Sequence, residues 1–217
     1  MHLSAMKNKQ YILSGIMIVL YSVGIYAFAT HWQTVINLTP MQLIISTIIL
    51  FLAHTRIDSA LIKFSITAYL ISFIAECIGV NTGIPFGEYT YHEVLGYKIL
   101  ETPLLIGINW LMLLLASRSV VERFFGKRSI LFQIFLASLI MVGLDFLIEP
   151  IAIEYRFWTW ADADIPWNNY LSWFILAFGL HYLQRKMLPA YSNLSADVLL
   201  LLQVLFFGTL NLILLNY

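Results

Sequence analysis

Long apolar runs, separated by short polar stretches, make up most of the chain. A membrane-spanning helix needs about 20 mainly apolar residues, and seven runs in this sequence approach that length. The seven runs lie at about 11–29, 40–53, 61–80, 103–120, 130–149, 170–184 and 196–216. The run at 40–53 is short, and the run at 170–184 has polar edges. The pattern predicts an all-α, polytopic membrane helix bundle with about seven transmembrane helices.

The composition agrees with this prediction and excludes other classes of protein. Of the 217 residues, 60% are hydrophobic and 11% are charged, whereas a soluble domain has about 25% charged residues. The mean hydropathy is +0.82. We therefore expect residues 1–217 to form a single integral membrane domain. The formal net charge of +0 offers no basic surface, so we predict that nucleic acid is not a partner.

The distribution of basic residues predicts the orientation of the bundle. Ten of the twelve Lys and Arg residues fall on the amino-terminal side of the predicted membrane, and only Lys98 and Arg156 fall on the other side. Basic residues are enriched in cytoplasmic connections. We therefore predict a multi-pass protein of the inner cell membrane, with a cytoplasmic amino terminus and an external carboxyl terminus.

Two connections on the predicted outer side are much longer than the others, at about 81–102 and 150–169. We expect Pro150 to end the fifth helix. Connections of this length in a compact domain are usually functional or disordered, and the many aromatic residues argue against disorder. For any single Trp or Tyr in these connections, the simpler interpretation is that it lies in the aromatic belt at the membrane–water interface.

Three acidic residues lie inside the predicted spans, where lipid should exclude them. Glu76 is near the outer end of the third span, and Asp145 and Glu149 are near the outer end of the fifth. The i, i+4 spacing places Asp145 and Glu149 on one helical face. Ionisable groups within spans usually face the bundle interior and mark functional sites. Several carboxyl groups in a poorly hydrated pocket cannot all be ionised, so at least one should keep its proton.

A pocket that keeps a carboxylic acid protonated suits an acid catalyst, a proton-coupled transporter or a structural hydrogen-bond clasp. The acids alone do not separate the functional and structural interpretations. Aromatic residues at the same level favour catalysis, because ring faces attract a cation and could shelter a carbocation made from an alkene. These residues are Trp110, Trp158, Trp160, Trp167, Trp173, Tyr89 and Tyr91.

Other polar residues give weaker signals. Asn109, Asn168 and Asn169 could orient a water molecule, although an asparagine at the end of a span more often caps a helix. His92 and His181 lack the ligand spacing of a metal site. The sequence contains no GxGxxG, GxxxxGKS/T or HExxH motif. We therefore predict that the protein uses no metal and no cofactor.

The runs ECIGVNTGIPFGEYTYHEVLG, DFLIEP, WTW and IPWNNYLSW follow one another along the chain. In this order they resemble the membrane-integral carotenoid biosynthesis protein family, whose characterised members are CruF-type carotenoid 1,2-hydratases. The resemblance covers about residues 70–185, and the first two predicted spans and the last carry no family motif. The matching positions are Glu76, Gly79, Thr82, Gly83, Phe86, Gly87, Tyr89, Tyr91, Pro103, Trp110, Asp145, Glu149, Pro150, Trp158, Trp160, Pro166, Asn169 and Trp173.

The resemblance implies a reaction and a set of site residues. The implied reaction adds water across the terminal C=C of an acyclic carotenoid end, as in γ-carotene, lycopene or a bisanhydrobacterioruberin-like substrate, to give a tertiary alcohol. Its partners are a carotenoid within the lipid bilayer and water. The expected catalytic acids are Asp145, Glu149 and Glu76; Asp145 lies one turn deeper than Glu149, so we expect it to donate the proton. The expected substrate-binding residues are Trp110, Trp158, Trp160, Trp173, Tyr89, Tyr91, Phe86, Asn109 and Asn169.

Two other functions fit the same residues. A lycopene-type cyclase begins with a similar protonation but quenches the cation by ring closure and proton loss. A proton-coupled transporter or a lipid-binding membrane protein would use the acids to carry protons or to hold helices together. The clustering of the acids in one leaflet, and the lack of a visible broken-helix repeat, argue against transport.

Overall fold

The computed structural model describes residues 2–162 and 164–216, and its helices coincide with the predicted apolar runs. The α-helices in this part of the chain are α1 (His2–Val35), α2 (Thr39–Ala53), α3 (Ser59–Thr82), α4 (Leu104–Phe125), α5 (Ile130–Glu154), α6 (Trp167–Met187) and α7 (Leu194–Leu214). The strands are β1 (Tyr89–Tyr91), β2 (Lys98–Ile99), β3 (Thr102–Pro103) and β4 (Trp158–Trp160), and short 3-10 turns span Ile36–Leu38 and Glu93–Leu95.

Five helical segments within the described residues are long and apolar enough to cross a membrane. They are Met6–Ala53, which takes in most of α1 and all of α2, and Ser59–Thr82, Leu104–Phe125, Ile130–Glu154 and Leu194–Leu214. The prediction of an all-α membrane helix bundle is therefore confirmed. The helix α6 is long enough but less apolar than these segments. The number of spans and the orientation of the amino terminus stay predictions.

The helices α1 and α2 form an antiparallel hairpin. The chain leaves helical geometry at His31, where φ is −143°, and then passes through the 3-10 turn Ile36–Leu38. Near the start of α1, the side-chain amide of Gln10 donates to the carbonyl of Ala53 at the end of α2, at 2.9 Å. Both helices contact α7. The hairpin and α7 therefore form one side of the bundle.

The helix α4 lies at the centre of the bundle. It contacts α2, α3, α5, α6 and α7. Met112, Leu113 and Leu114 follow one another on different faces of α4, and all three are fully buried. A helix that is apolar on every face is typically enclosed by other elements. This central position brings Trp110, which is also fully buried, into the interior of the bundle near the start of α4.

Polar residues between the spans cap the helices. Side-chain oxygens of Asp58, Ser129 and Asn193 accept hydrogen bonds from backbone N–H groups at the starts of α3, α5 and α7. These bonds satisfy donors that a helix start leaves without a partner. At its other end, α3 terminates at Gly83 with a left-handed φ of 71°, a conformation that glycine adopts without steric cost.

The two long loops pair with each other at one end of the bundle. The strands β1 and β4 are antiparallel, with Tyr89 opposite Trp160 and Tyr91 opposite Trp158. The backbone N–H of His92 extends the pairing by donating to the carbonyl of Phe157 at 2.9 Å. The strands β2 and β3 close the first loop immediately before α4. This end of the bundle is therefore covered by two loops that are joined to each other.

The prediction that Pro150 ends the fifth helix is wrong. The helix α5 contains Pro150 and continues to Glu154. Proline removes its own backbone N–H and its ring crowds the carbonyl of residue i−4, but the buried side chains of Ile151 and Ala152 hold the next turn. A backbone bond from Tyr155 N–H to the Ile151 carbonyl, at 3.0 Å, closes the helix. The second loop is therefore shorter than the sequence predicts.

Candidate active site

The three predicted acids meet in one small cavity beneath the paired strands. This acid cavity has a volume of about 20 Å³, which is room for about one water molecule. Glu76, Asp145 and Glu149 are each at most 2% exposed. The cavity is lined by Glu76, Phe86, Tyr89, Tyr91, Ile106, Asn109, Asp145, Ile148, Glu149, Trp158, Trp160, Asn169 and Trp173.

Glu76 accepts three hydrogen bonds. Its Oε2 accepts from the hydroxyls of Tyr89 at 2.6 Å and Tyr91 at 2.9 Å. Its Oε1 accepts from Nε1 of Trp110 at 2.8 Å. Both carboxyl oxygens therefore have partners, as a buried acid requires.

Glu149 is held in a similar way from the second loop. Its Oε2 accepts from the indole N–H groups of Trp158 at 3.0 Å and Trp160 at 2.9 Å. Its Oε1 accepts from the amide nitrogen of Asn169 at 3.3 Å. Indole and amide nitrogens can only donate. These contacts therefore leave both oxygens of Glu149 acting as acceptors.

Asp145 differs from the other two acids. Its Oδ2 accepts one bond from the amide nitrogen of Asn169 at 3.2 Å, so this amide bridges Asp145 and Glu149. The other oxygen, Oδ1, is buried and has no partner among the described residues. A buried carboxyl oxygen in this position can carry the acid proton or accept a bond from a water in the cavity. Asp145 is therefore the acid with a free hydrogen-bonding position.

The two-residue spacing of the motifs YTY and WTW explains why the tyrosine and tryptophan donors all face the acids. Successive side chains of a strand point to opposite faces. Tyr89 and Tyr91 therefore share one face of β1, and Trp158 and Trp160 share one face of β4. The pairing places the Tyr89 and Trp160 rings 5.0 Å apart and the Tyr91 and Trp158 rings 5.7 Å apart. The four side chains form an aromatic roof over the acids.

The phenols of this roof stay protonated. Burial raises the pKa of both Tyr89 and Tyr91, and the nearby Glu76 charge raises each pKa further. Both residues lie in the loop outside the helices. They therefore remain hydrogen-bond donors to Glu76 throughout the physiological range of pH.

Two glycines permit the close packing of this roof. A Cβ at Gly79 would lie 2.5 Å from a ring carbon of Phe86 and 3.0 Å from the hydroxyl of Tyr89. At Gly87, φ is +119° and a Cβ would lie 2.5 Å from Pro166. Neither position has room for a side chain. Gly79 and Gly87 thus have a steric role beside the acids.

A second, larger cavity adjoins the acid cavity. This apolar cavity has a volume of about 90 Å³. The two cavities share four lining residues, Ile106, Asn109, Ile148 and Trp158. The remaining lining residues are Tyr21, Phe28, Thr39, Gln42, Leu43, Leu95, Leu105, Ile151, Ala152, Phe157, Gln203, Phe206 and Phe207. A hydrocarbon group in the apolar cavity would therefore lie next to the acids.

The structure brings the predicted site residues together. Of the nine predicted substrate-binding residues, eight line the acid cavity, namely Phe86, Tyr89, Tyr91, Asn109, Trp158, Trp160, Asn169 and Trp173. Trp110 lies behind them, bonded to Glu76 and stacked on Trp173 with ring centroids 4.0 Å apart. Trp167, the further aromatic at this level, is 85% exposed and contributes nothing to the cavity.

The sequence did not predict the contribution of α1, α2 and α7. These helices carry no family motif, yet they supply Tyr21, Gln42 and Gln203 to the wall of the apolar cavity. The side chains of Gln42 and Gln203 could have predicted this contribution, because a polar amide inside an apolar span usually faces the bundle interior.

The histidines take part in other contacts. His92 Nε2 lies 3.3 Å from the hydroxyl of Thr159. His181 is buried between the hydroxyl of Ser117 at 3.2 Å and the side-chain oxygen of Gln184 at 3.0 Å. In residues 2–162 and 164–216, no group of three or more His, Cys, Asp or Glu side chains is arranged to hold a metal ion. The absence of a metal and of a cofactor stays a prediction.

Comparison with known proteins identifies the family of this chain. A bisanhydrobacterioruberin hydratase from Haloarcula japonica is 28% identical over 130 residues, which take in 57% of this chain and 43% of the relative. The match thus spans less than half of the relative's length. No solved structure matches the chain. The sequence profile of the carotenoid biosynthesis protein family matches residues 38–216, a wider range than the motifs cover, and the chain therefore belongs to that family.

Proposed function

We propose that this protein hydrates the terminal C=C of an acyclic carotenoid end group to a tertiary alcohol, by carboxylic-acid protonation and water addition without a cofactor. Membership of the carotenoid biosynthesis family supports the substrate class, and the similarity to a protein named as a hydratase supports the reaction. The observation that carries the mechanism is the unpartnered Oδ1 of Asp145 in a cavity of about one water.

Asp145 is the proton donor in this mechanism. An alkene is a poor base, so a protonated carboxyl must deliver its proton to carbon at close range. Glu76 and Glu149 each accept three hydrogen bonds, and every oxygen of these two acids already accepts at least one. Asp145 accepts one bond and has one oxygen free.

The chemical steps balance without a redox partner. The O–H bond of Asp145 breaks as the π electrons of the terminal C=C form a new C–H bond, which leaves a tertiary carbocation. A lone pair of the cavity water then forms the C–O bond. The resulting oxonium loses a proton to the Asp145 carboxylate, and the acid is restored for the next turnover.

The surroundings of the cavity stabilise the cation. The carboxyl oxygens of Glu76 and Glu149 offer partial negative charge at fixed positions. The ring faces of Trp158 and Trp160 contribute about 0.5–2 kcal/mol each where water is excluded. The aromatic hydrogen bonds also keep both glutamates from collapsing onto the cation.

The apolar cavity holds the end group of the polyene. Its walls are mostly aliphatic and aromatic side chains, which match a hydrocarbon dissolved in the bilayer. The end group then reaches the acids at the junction of the two cavities, where Ile106, Asn109, Ile148 and Trp158 lie. In this arrangement the membrane supplies the carotenoid and the acid cavity supplies the water.

Pigment analysis tests the proposed reaction. The protein is expressed in cells that make lycopene or γ-carotene. The carotenoids are then extracted, and their molecular masses are measured by mass spectrometry. We expect products heavier by one water, and no such products with Asp145→Asn. Isomeric cyclic products would instead indicate a cyclase, and unchanged pigments would indicate a transporter or a lipid-binding protein.

A further inference from the structure

The three asparagines near the acids have different surroundings. The amide nitrogen of Asn168 donates to the carbonyl of Pro85 at 3.1 Å and ties the two loops together. The amide nitrogen of Asn169 bridges Asp145 and Glu149. The side chain of Asn109 makes no hydrogen bond to any described part of the chain, and it lines both cavities. Asn109 is thus the asparagine whose amide is available to a ligand.

The position of Asn109 is fixed by its neighbour. Trp110 is fully buried and bonded to Glu76 at 2.8 Å, so this turn of α4 is anchored to the acid site. Asn109 reaches the junction where a hydrocarbon from the apolar cavity meets a water in the acid cavity. Asn109 is partly exposed, so its amide can bind a water, and the acid cavity has room for one.

We propose that Asn109 positions the attacking water and thereby decides between hydration and return of the proton. The side-chain oxygen of Asn109 accepts one O–H of the water, which directs a lone pair toward the carbocation. Asp145 is left as a carboxylate after it donates its proton, and it takes the other proton of the water as the C–O bond forms. Asn109 acts through the water, so it is a positioning residue.

The alternative fate of the carbocation is loss of a proton. A cation without a correctly placed water gives a proton back to the Asp145 carboxylate and becomes an alkene again, either the original one or a positional isomer. Both fates begin with the same protonation. Asn109 should therefore affect the ratio of products far more than the rate of protonation.

Deuterium oxide separates these two fates. Each protonation in D2O places one deuteron on carbon, so deuterated alcohol records hydration. Deuterated alkene records return through loss of a C–H proton, because return of the deuteron itself leaves the alkene unlabelled. The assay uses purified protein in lipid nanodiscs with whichever of lycopene and γ-carotene the wild-type protein hydrates. The variants are Asn109→Leu, which removes the amide at similar volume, and Asn109→Ala, which removes the amide without adding bulk. Asn37→Leu, at an exposed asparagine in the 3-10 turn Ile36–Leu38, is the control.

For both Asn109 variants, we expect the ratio of deuterated alkene to deuterated alcohol to rise at least about tenfold. The control should keep the wild-type ratio. An unchanged ratio in both Asn109 variants, whether the overall rate is retained or lost, would overturn the proposal. If Asn109→Leu does not fold, the Asn109→Ala result decides. This inference rests on the proposed hydration, which fails separately if the wild-type protein forms no alcohol.

Discussion

Tyr89 and Trp160 lie opposite each other in the β1–β4 pair, with ring centroids 5.0 Å apart, and each donates to a different buried acid. The Tyr89 hydroxyl binds Glu76 at 2.6 Å, and the Trp160 indole binds Glu149 at 2.9 Å. One cross-strand pair therefore holds acids from two helices in fixed positions. We attribute the fixed positions of the Glu76 and Glu149 carboxyl groups to this pairing of the loops.

Removal of an indole donor should weaken catalysis more than folding. Trp160→Phe keeps an aromatic ring but leaves Oε2 of Glu149 with one donor fewer. The carboxyl group of Glu149 is then less firmly positioned, and a small misplacement in an active site can cost up to about 10²-fold in rate, so we expect kcat to fall by about tenfold or more. Trp167→Phe, at a site that is 85% exposed, should keep the wild-type kcat. Equal rates for all three proteins would show that the indole bond has no part in turnover.

The steric role of Gly79 can be tested by thermal unfolding in detergent. Gly79→Ala places a Cβ 2.5 Å from the Phe86 ring, and overpacking of this kind costs about 1–3 kcal/mol. Gly143→Ala is the matched control, because a Cβ on this helical glycine meets nothing within 4 Å. We expect a lower Tm for Gly79→Ala and an unchanged or higher Tm for Gly143→Ala. The same Tm for both variants would contradict the close packing.

The buried phenols should make stability depend on pH above about 10. Below the ordinary tyrosine pKa of 10.0, Tyr89 and Tyr91 are protonated in both the folded and the unfolded chain. Above it, the unfolded phenols ionise while the raised pKa keeps the folded ones neutral, so stability is lost as pH rises. The decrease in Tm between pH 9 and pH 11 should be smaller in Tyr89→Phe and Tyr91→Phe. A pH dependence identical to that of the wild-type protein would contradict this.

The apolar cavity gives a prediction about substrate use. Ala152 lines the apolar cavity but not the acid cavity. Ala152→Leu fills part of the space proposed for the polyene end, so we expect kcat/KM for the carotenoid to fall by about tenfold or more. Ala29→Leu, at an exposed position of α1, is the control. If kcat/KM is unchanged in folded Ala152→Leu, the end group binds elsewhere.

The sequence predicts local features of this protein well. Apolar runs locate the helices, because each span is defined by its own residues and the thickness of the membrane. The depth of Glu76 and the one-face spacing of Asp145 and Glu149 follow from helical geometry alone. These features need no knowledge of distant contacts.

The sequence predicts the long-range features poorly. The pairing of Tyr91 with Trp158 joins residues 67 positions apart along the chain, counted from their numbers, and no local pattern specifies it. The contribution of Gln203 to a cavity shared with Asn109 depends on how helices pack. Pro150 shows the same limit, because tertiary packing keeps α5 helical past a residue that locally disfavours it.

The most direct test of acid catalysis is the specific activity of purified Asp145→Asn in lipid nanodiscs, with Glu149→Gln and Glu76→Gln measured beside it. The amide of Asp145→Asn keeps the shape of the side chain and removes the proton that the mechanism transfers. We predict that Asp145→Asn folds and inserts normally and that its turnover falls by about 10²-fold or more. Turnover at the wild-type rate in Asp145→Asn would contradict the mechanism. If Asp145 only holds helices together, the variant should give less folded protein, and its specific activity should stay near that of the wild-type protein.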